Sequence, residues 1–251
     1  MRNIRRQFAA ELRKYYLEVK CYYPDHIVNL VVLFIMFSGF FKLFTNSDVI
    51  PDSAYYIGFV YWFYANGIIG ESSVSISTEK QSGTFEQLLI KPSSLSSILF
   101  YRSACWLLFQ SAEIAVVMLA LHMILSVPMS FSLLIIPVFI ITMLGLIGIS
   151  YLLSALTLVF TKTASFTTIF SYLLLFFSGV AEGVGERGAA YYLLPLSQGI
   201  DISRRIILKL DVTVLDIGLL VFNTIVYLLL GIVVFHSIMK SGRKKGISME
   251  Y

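Results

Sequence analysis

Six long blocks of apolar residues constrain this chain more than any other feature of its sequence. Each block is about as long as a helix must be to cross the roughly 30 Å hydrocarbon layer of a membrane. Backbone N–H groups in lipid must bond within their own segment, and the blocks lack the alternation of barrel strands, so we expect helices. The predicted spans are residues 27–44, 54–77, 98–125, 133–160, 164–180 and 214–239.

The composition agrees with a chain whose main solvent is lipid. Hydrophobic residues make up 57% of the sequence and charged residues 14%, whereas soluble domains carry about 25% charged residues. We therefore predict an all-α membrane protein in which residues 1–251 form a single domain with six transmembrane helices. The two cysteines, Cys21 and Cys105, lie in different segments, and we predict no disulfide and no metal site.

The basic residues predict the orientation of the chain. Six Lys and Arg residues precede the first span and four follow the last, and an even number of spans places both ends on one side. Because cytoplasmic loops are enriched in Lys and Arg, we expect both termini in the cytoplasm, with the protein integral to the plasma (inner) membrane. The predicted cytoplasmic segments are 1–25, 78–97 and 240–251, and the predicted external loop is 181–213.

Two further segments have amphipathic helical patterns. In the first 25 residues, apolar side chains recur every three or four positions between basic ones, which predicts a helix at the membrane surface, against lipid or a partner. Its apolar residues are Phe8, Leu12, Tyr15, Val19 and Tyr22. In the external loop, a second apolar face is predicted to contact the membrane surface, and the alternative is a well-packed external loop. It consists of Ile202, Ile206, Ile207 and Leu210.

A short charged stretch between the second and third spans, residues 79–92, has the features of a separate helix. Thr84 can cap its start, Glu86 lies near its positive amino end, and Pro92 can stop it. Leu88 and Leu89 offer an apolar contact face. The alternative is a solvated loop with a capped turn, because capping signals occur at any helix start.

The same stretch resembles the cytoplasmic connection of type 2 ABC exporter permeases. The resemblance rests on its position between spans two and three and on an ordered set of residues, while Phe85 departs from the aliphatic residue expected there. The matching residues are Glu79, Gly83, Thr84, Glu86, Leu88 and Pro92. It extends to the span order, the amino-terminal helix and residues 194–201. It implies that this stretch is a coupling helix, which docks in a groove of an ATP-binding subunit.

The resemblance also implies the partners. The chain would be the permease of an exporter, would pair with a second permease chain, identical or related, and with two ATP-binding subunits, and would move substrate outward by alternating access. The sequence has no Gly-x-x-x-x-Gly-Lys-Ser/Thr loop to hold phosphates. We therefore expect no enzyme activity and no cofactor on this chain, with ATP and Mg on the partner subunit, membrane lipid around the spans and no nucleic acid.

Two acids inside the predicted spans need an explanation, because an unpaired carboxylate in the bilayer costs about 3 kcal/mol or more. Helical spacing allows Glu71 in the second span to pair with Arg102 in the third and brace the coupling helix, or else to line the transport path. Glu113 has no basic residue nearby on its own span, so we expect it to face a cavity or another helix. Substrate contact by Glu113 is a hypothesis.

A second class of function would use these acids differently. In an ion- or proton-coupled carrier working without an ATPase, Glu71 and Glu113 would be the coupling groups, and inverted repeats with broken helices are expected. The sequence has no convincing repeat of that kind. A membrane-embedded enzyme would need converging catalytic side chains, and two isolated glutamates are not such a set.

Overall fold

The computed structural model describes residues 2–44, 52–90, 94–126, 130–160, 163–180 and 188–244. In these ranges the regular structure is entirely helical, which confirms the predicted class. The helices are α1 Arg2–Cys21, α2 Tyr23–Phe44, α3 Asp52–Gln81, α4 Phe85–Ile90, α5 Leu95–Leu125, α6 Ile135–Val159, α7 Ala164–Phe177, α8 Ala189–Leu193, α9 Pro195–Ile207 and α10 Val214–Lys244.

Within the described ranges, four helices are long and apolar enough to cross a membrane. They contain the segments Tyr23–Lys42, Leu95–Leu125, Ile135–Val159 and Val214–Ser241. These correspond to the first, third, fourth and sixth predicted spans. The α2 helix exposes Ile27, Val31 and Ile35, as a helix bordered by lipid does.

The other two predicted spans lie in α3 and α7, and neither helix is both long enough and apolar enough to be counted with these four. The α3 helix is long but carries many polar residues, and it lies inside the bundle, where Ser72 bonds to Ser103 of α5 and Ser150 of α6. A helix surrounded by protein can keep such groups because its neighbours satisfy them. The α7 helix has 14 residues, or about 21 Å. The count of six spans therefore stays a prediction.

The α6 and α10 helices cross at very short range. A Cβ atom added to Gly148 of α6 would lie 2.5 Å from the backbone of Tyr227 and Leu228 in α10. Gly231 of α10 faces Gly148 across the same contact. Small residues allow two helix backbones to approach this closely in a membrane. The crossing makes α6 and α10 a tightly packed pair.

The amino-terminal helix α1 is present, but its apolar face is used differently from the prediction. The ring of Phe8 contacts Tyr101 at 6.4 Å between centroids, and Tyr15 stacks on Phe109 at 5.8 Å. These contacts lie along the first half of α5, while Leu12 and Tyr22 are exposed. The face predicted to meet the membrane surface is thus divided, and part of it packs on α5.

The predicted external loop is also partly folded into the bundle. The amphipathic α9 buries most of its length, and Ile202 packs with Val138 of α6 and Leu220 of α10. The prediction that Ile202 contacts the membrane surface is therefore wrong. An apolar helix face marks a buried surface, but its spacing alone does not say what covers it.

Candidate coupling site

The turn between α3 and α4 brings the predicted coupling residues together. Gly83 has a φ of 69°, a left-handed conformation that glycine adopts without steric cost. The Thr84 hydroxyl donates a hydrogen bond of 2.6 Å to the Glu79 carboxylate. The predicted cap of α4 differs in detail. The main-chain carbonyl of Thr84 accepts a hydrogen bond from the Leu88 N–H, but the Thr84 side chain bonds back to Glu79 of α3.

The short helix α4 has one face inside the protein and one outside. Phe85 and Leu88 are buried, whereas Glu86 and Gln87 are exposed and Ile90 is 83% exposed. Leu88, one of the residues expected to contact an ATP-binding subunit, thus packs inward, and Phe85 serves the same interior face. Pro92 lies outside the described residues.

Arg102 of α5 joins three helices at this end of the bundle. Its guanidinium donates to Glu79 at 3.0 Å and to Ser75, both on α3, and lies 3.6 Å from the Glu11 carboxylate of α1. The expected direct pair between Arg102 and Glu71 is not formed. The last turn of α3 reaches Arg102 instead, so Glu79 takes the role that we assigned to Glu71.

The electrostatics of this turn favour an ionised Glu79. Burial on its own would raise the pKa of Glu79, but the hydrogen bonds from Thr84 and Arg102 and the positive charge of Arg102 outweigh it. The pKa of this carboxyl is therefore held below its ordinary value. A charged Glu79 between a hydroxyl and a guanidinium links the start of α4 to α5.

Glu71 bonds to the amino-terminal helix. The Tyr15 hydroxyl donates to the Glu71 carboxylate. Burial, followed by the charge and hydrogen bond of Glu71, raises the pKa of the Tyr15 phenol, so this group stays protonated and can donate. Glu71 lies six residues, about 9 Å, before the end of the predicted second span at residue 77.

Glu113 of α5 also faces another helix, as one of the two predicted alternatives stated. Its carboxylate lies 2.8 Å from His26 Nδ1 and accepts hydrogen bonds from Asn29 at 2.9 Å and Gln110 at 3.1 Å. His26 and Asn29 belong to the first two turns of α2. Glu113 therefore lies near the middle of α5 and opposite the start of α2, and both acids hold the amino-terminal helices to the bundle.

An apolar cleft opens between α3, α5 and α6 on the other half of the bundle. It has a volume of about 390 Å³ and is lined by aromatic side chains, including Tyr56, Tyr61, Tyr64 and Phe139. The Tyr61 hydroxyl bonds to Ser203 and that of Tyr64 to Ser111. The charged residues predicted to matter, Glu71, Arg102 and Glu113, do not line this cleft.

Sequence reasoning missed several partners of these side chains. Glu11 interrupts the apolar face of α1 between Phe8 and Tyr15, at helical spacing, and that misplaced acid was an available signal. His26 had no comparable signal, because its partner is 87 residues away. Among the residues that the structure describes, no group of three or more His, Cys, Asp or Glu side chains could hold a metal ion.

Comparison with known proteins identifies the family of this chain. The family model described as ABC-2 type transporter matches residues 3–208, which is most of the chain and includes α1 to α9. The matched region contains the α3–α4 turn and Arg102. No curated protein was found to match.

Proposed function

The chain belongs to the ABC-2 type transporter family, and we propose that this permease subunit exports its substrate by alternating access. In this proposal a separate ATP-binding subunit supplies the energy, and α4 receives the movement. Displacement of α4 then changes which side of the membrane the permease opens to. Membership in the family by itself makes the chain an integral membrane transport subunit that pairs with ABC ATP-binding subunits.

The observation that carries the proposal is the two-sided character of α4. Phe85 and Leu88 fix one face to the bundle, while Glu86, Gln87 and Ile90 form an exposed face next to it. A rigid element bound on one side and open on the other suits a docking site. We propose that Glu86 contacts the ATP-binding subunit directly and that Glu79, Gly83, Thr84 and Leu88 hold α4 in place.

The proposal includes a topology. We place α4 and both termini in the cytoplasm and count α3 and α7 as spans, giving six in the plasma membrane. The α3 helix supports this count because it packs along α5, α6 and α7, and Ser72 on it bonds to Ser103 and Ser150 inside the bundle. The basic residues on α1 and in the last turns of α10 support the same orientation.

We further propose that a working unit contains two permease chains and two ATP-binding subunits. Each permease chain offers one α4 surface, so two motors that close on each other need two such surfaces. The exposed apolar side chains of α7, among them Phe166, Ile169 and Phe176, are available to lipid or to the second permease chain.

Affinity purification in mild detergent tests this function. The tagged chain should bring down an ATP-binding subunit with ATPase activity, and Glu86→Arg should reduce that recovery because a cation replaces the exposed acid. Asp211→Arg is the matched control, since Asp211 is an exposed acid in the segment just before α10. Equal recovery of the ATPase from Glu86→Arg and the control would contradict docking through Glu86.

The ion-coupled carrier remains the alternative for the source of energy. It used Glu71 and Glu113 as coupling groups, but these carboxylates are engaged by Tyr15, and by His26 and Asn29, which favours an anchoring role. If the chain purified without any ATPase and transport followed an ion gradient, the carrier would be the better account.

A further inference from the structure

Lys80 occupies an unusual position for a lysine. It is the next-to-last residue of α3, and only 5% of it is exposed. Its ammonium donates hydrogen bonds to the carbonyls of Thr157 at 3.1 Å and Leu158 at 2.7 Å. Both carbonyls belong to the last turn of α6, where they lack partners within the helix and where the helix dipole attracts a cation.

The same ammonium also lies next to the coupling helix. Its nitrogen is 6.0 Å from the centre of the Phe85 ring, and Phe85 is the buried first residue of α4. A cation over an aromatic face at this distance is attracted to it. One side chain on α3 therefore contacts both the start of α4 and the end of α6.

The end of α6 is well connected to the rest of the bundle. The Thr157 hydroxyl is 2.8 Å from that of Thr163, which directly precedes α7. Farther along, α6 crosses α10 at Gly148, and Thr142 lies against Gly199 of α9. Because packed helices move as units, these contacts would pass a shift at the Lys80 end of α6 to helices at the opposite end.

We infer that Lys80 is a positioning residue that transmits movement of α4 to α6. This inference rests on the proposed function, because it needs an ATP-driven displacement of α4. Arg102 links the same turn to α1 and α5, so the α3–α4 turn has two cationic connections. Lys80 is the connection that leads into the α6–α10 pair.

The burial of Lys80 makes the role testable by a shape-preserving change. Burial lowers the pKa of the Lys80 ammonium, and the two carbonyls compensate for the lost hydration of the charge. Lys80→Met keeps the length and apolar stem of the side chain but removes the donor. Lys80→Arg keeps a cation that can reach the carbonyls. Lys240→Met makes the same change at an exposed position of α10.

The experiment uses the permease together with its ATP-binding subunit in lipid nanodiscs, in a Cys21→Ser background. An environment-sensitive fluorophore is attached to a cysteine at Ile90 on α4 or, in separate samples, at Ile140 on α6, both of which are exposed. The response to ATP with vanadate is measured at each site.

In the unmodified permease and in Lys240→Met, both probes should respond. In Lys80→Met the α4 probe should still respond, while the α6 response should fall by roughly two- to thirtyfold, the range reported for changes in coupling networks. Lys80→Arg should restore it. An unchanged α6 response in Lys80→Met would overturn the inference. No α4 response in the unmodified complex would instead count against the proposed function.

If Lys80→Met fails to assemble, Phe85→Leu provides a second test. It keeps the bonds between Lys80 and α6 but removes the aromatic face on α4. The α6 response should again fall relative to the α4 response. If the α6 response relative to the α4 response were the same in Phe85→Leu as in the unmodified protein, a transmitting role for Lys80 would be overturned.

Discussion

Two buried arginines, Arg102 and Arg204, stabilise different regions of this bundle in different ways. Arg102 lies beside the α3–α4 turn and contacts carboxylates on two other helices, Glu79 of α3 and Glu11 of α1. Arg204 of α9 donates to the main-chain carbonyls of Ala54, Gly179 and Val180. The partners of Arg102 are flexible side chains, and the partners of Arg204 are main-chain atoms.

This difference separates a region that can rearrange from one that is fixed. Carboxylates on separate helices can turn away from Arg102 and bond elsewhere when the helices shift. Carbonyls at the start of α3 and just after α7 cannot move without moving the backbone. We therefore expect the Arg102 region to change during transport and the Arg204 region to keep its geometry.

The largest effect should follow loss of the Arg204 guanidinium. Arg204→Met leaves three main-chain carbonyls in a buried site without this donor, and each unsatisfied group costs roughly 1–3 kcal/mol. We expect most of the protein to be lost as aggregate, measured by size-exclusion profile and thermal stability in detergent. A variant with normal stability would mean that this region is not fixed by Arg204.

Gly58→Ala should disturb the same region from the other side. The added methyl would lie 2.6 Å from Arg204 Nη2 and 2.9 Å from the carbonyl oxygen of Val180. Overpacking of this kind costs about 1–3 kcal/mol, so the melting temperature should fall. Gly70→Ala on the same helix is the control, because nothing lies within 4 Å of its added Cβ. Equal effects of the two variants would contradict the close packing at Arg204.

A double-mutant cycle would measure how strongly Arg102 and Glu79 depend on each other. Arg102→Gln and Glu79→Gln should each destabilise the protein, and the double variant should lose less than their sum by about 1–2 kcal/mol. Unfolding in detergent provides the measurement. Glu18→Gln, at an exposed acid of α1, should be additive with Arg102→Gln. Additivity of the Arg102 and Glu79 changes would mean that the pair is not coupled.

The smallest effect should be on the way that stability changes with pH. The pKa of Glu79 is lowered on folding from an ordinary value of 4.5, so its contribution is fully present above that pH. The contribution is lost as pH falls through the lower pKa of the folded state. The melting temperature should therefore drop less between pH 7 and pH 4 in Glu79→Gln than in the unmodified protein. Identical drops in melting temperature in the two proteins would mean that Glu79 does not contribute to the loss of stability in acid.

The sequence was sufficient for features that depend on local pattern. Apolar blocks of sufficient length predicted the helices, and Thr84 marked the start of α4. Contacts between distant helices were not predictable in this way. Tyr15 finds Glu71 across 56 positions, and which acid reaches Arg102 depends on how α3 and α5 are aligned, so the Glu71 pair was wrong. Hydropathy has a related limit in α3. Its polar residues lower the hydropathy of the helix, so composition alone does not mark it as a span, although those residues lie against other helices.

The length of α5 has a mechanical consequence. With 31 residues it measures about 46 Å, against roughly 30 Å for the hydrocarbon layer. Glu113, held by α2, lies about 27 Å from the Leu95 end of the helix. If α5 pivoted at Glu113, a tilt of only about 10° would carry the Leu95 end by about 5 Å, nearly one helical turn. The helix would then work as a lever arm, and a small rotation inside the membrane would correspond to a large stroke at α4.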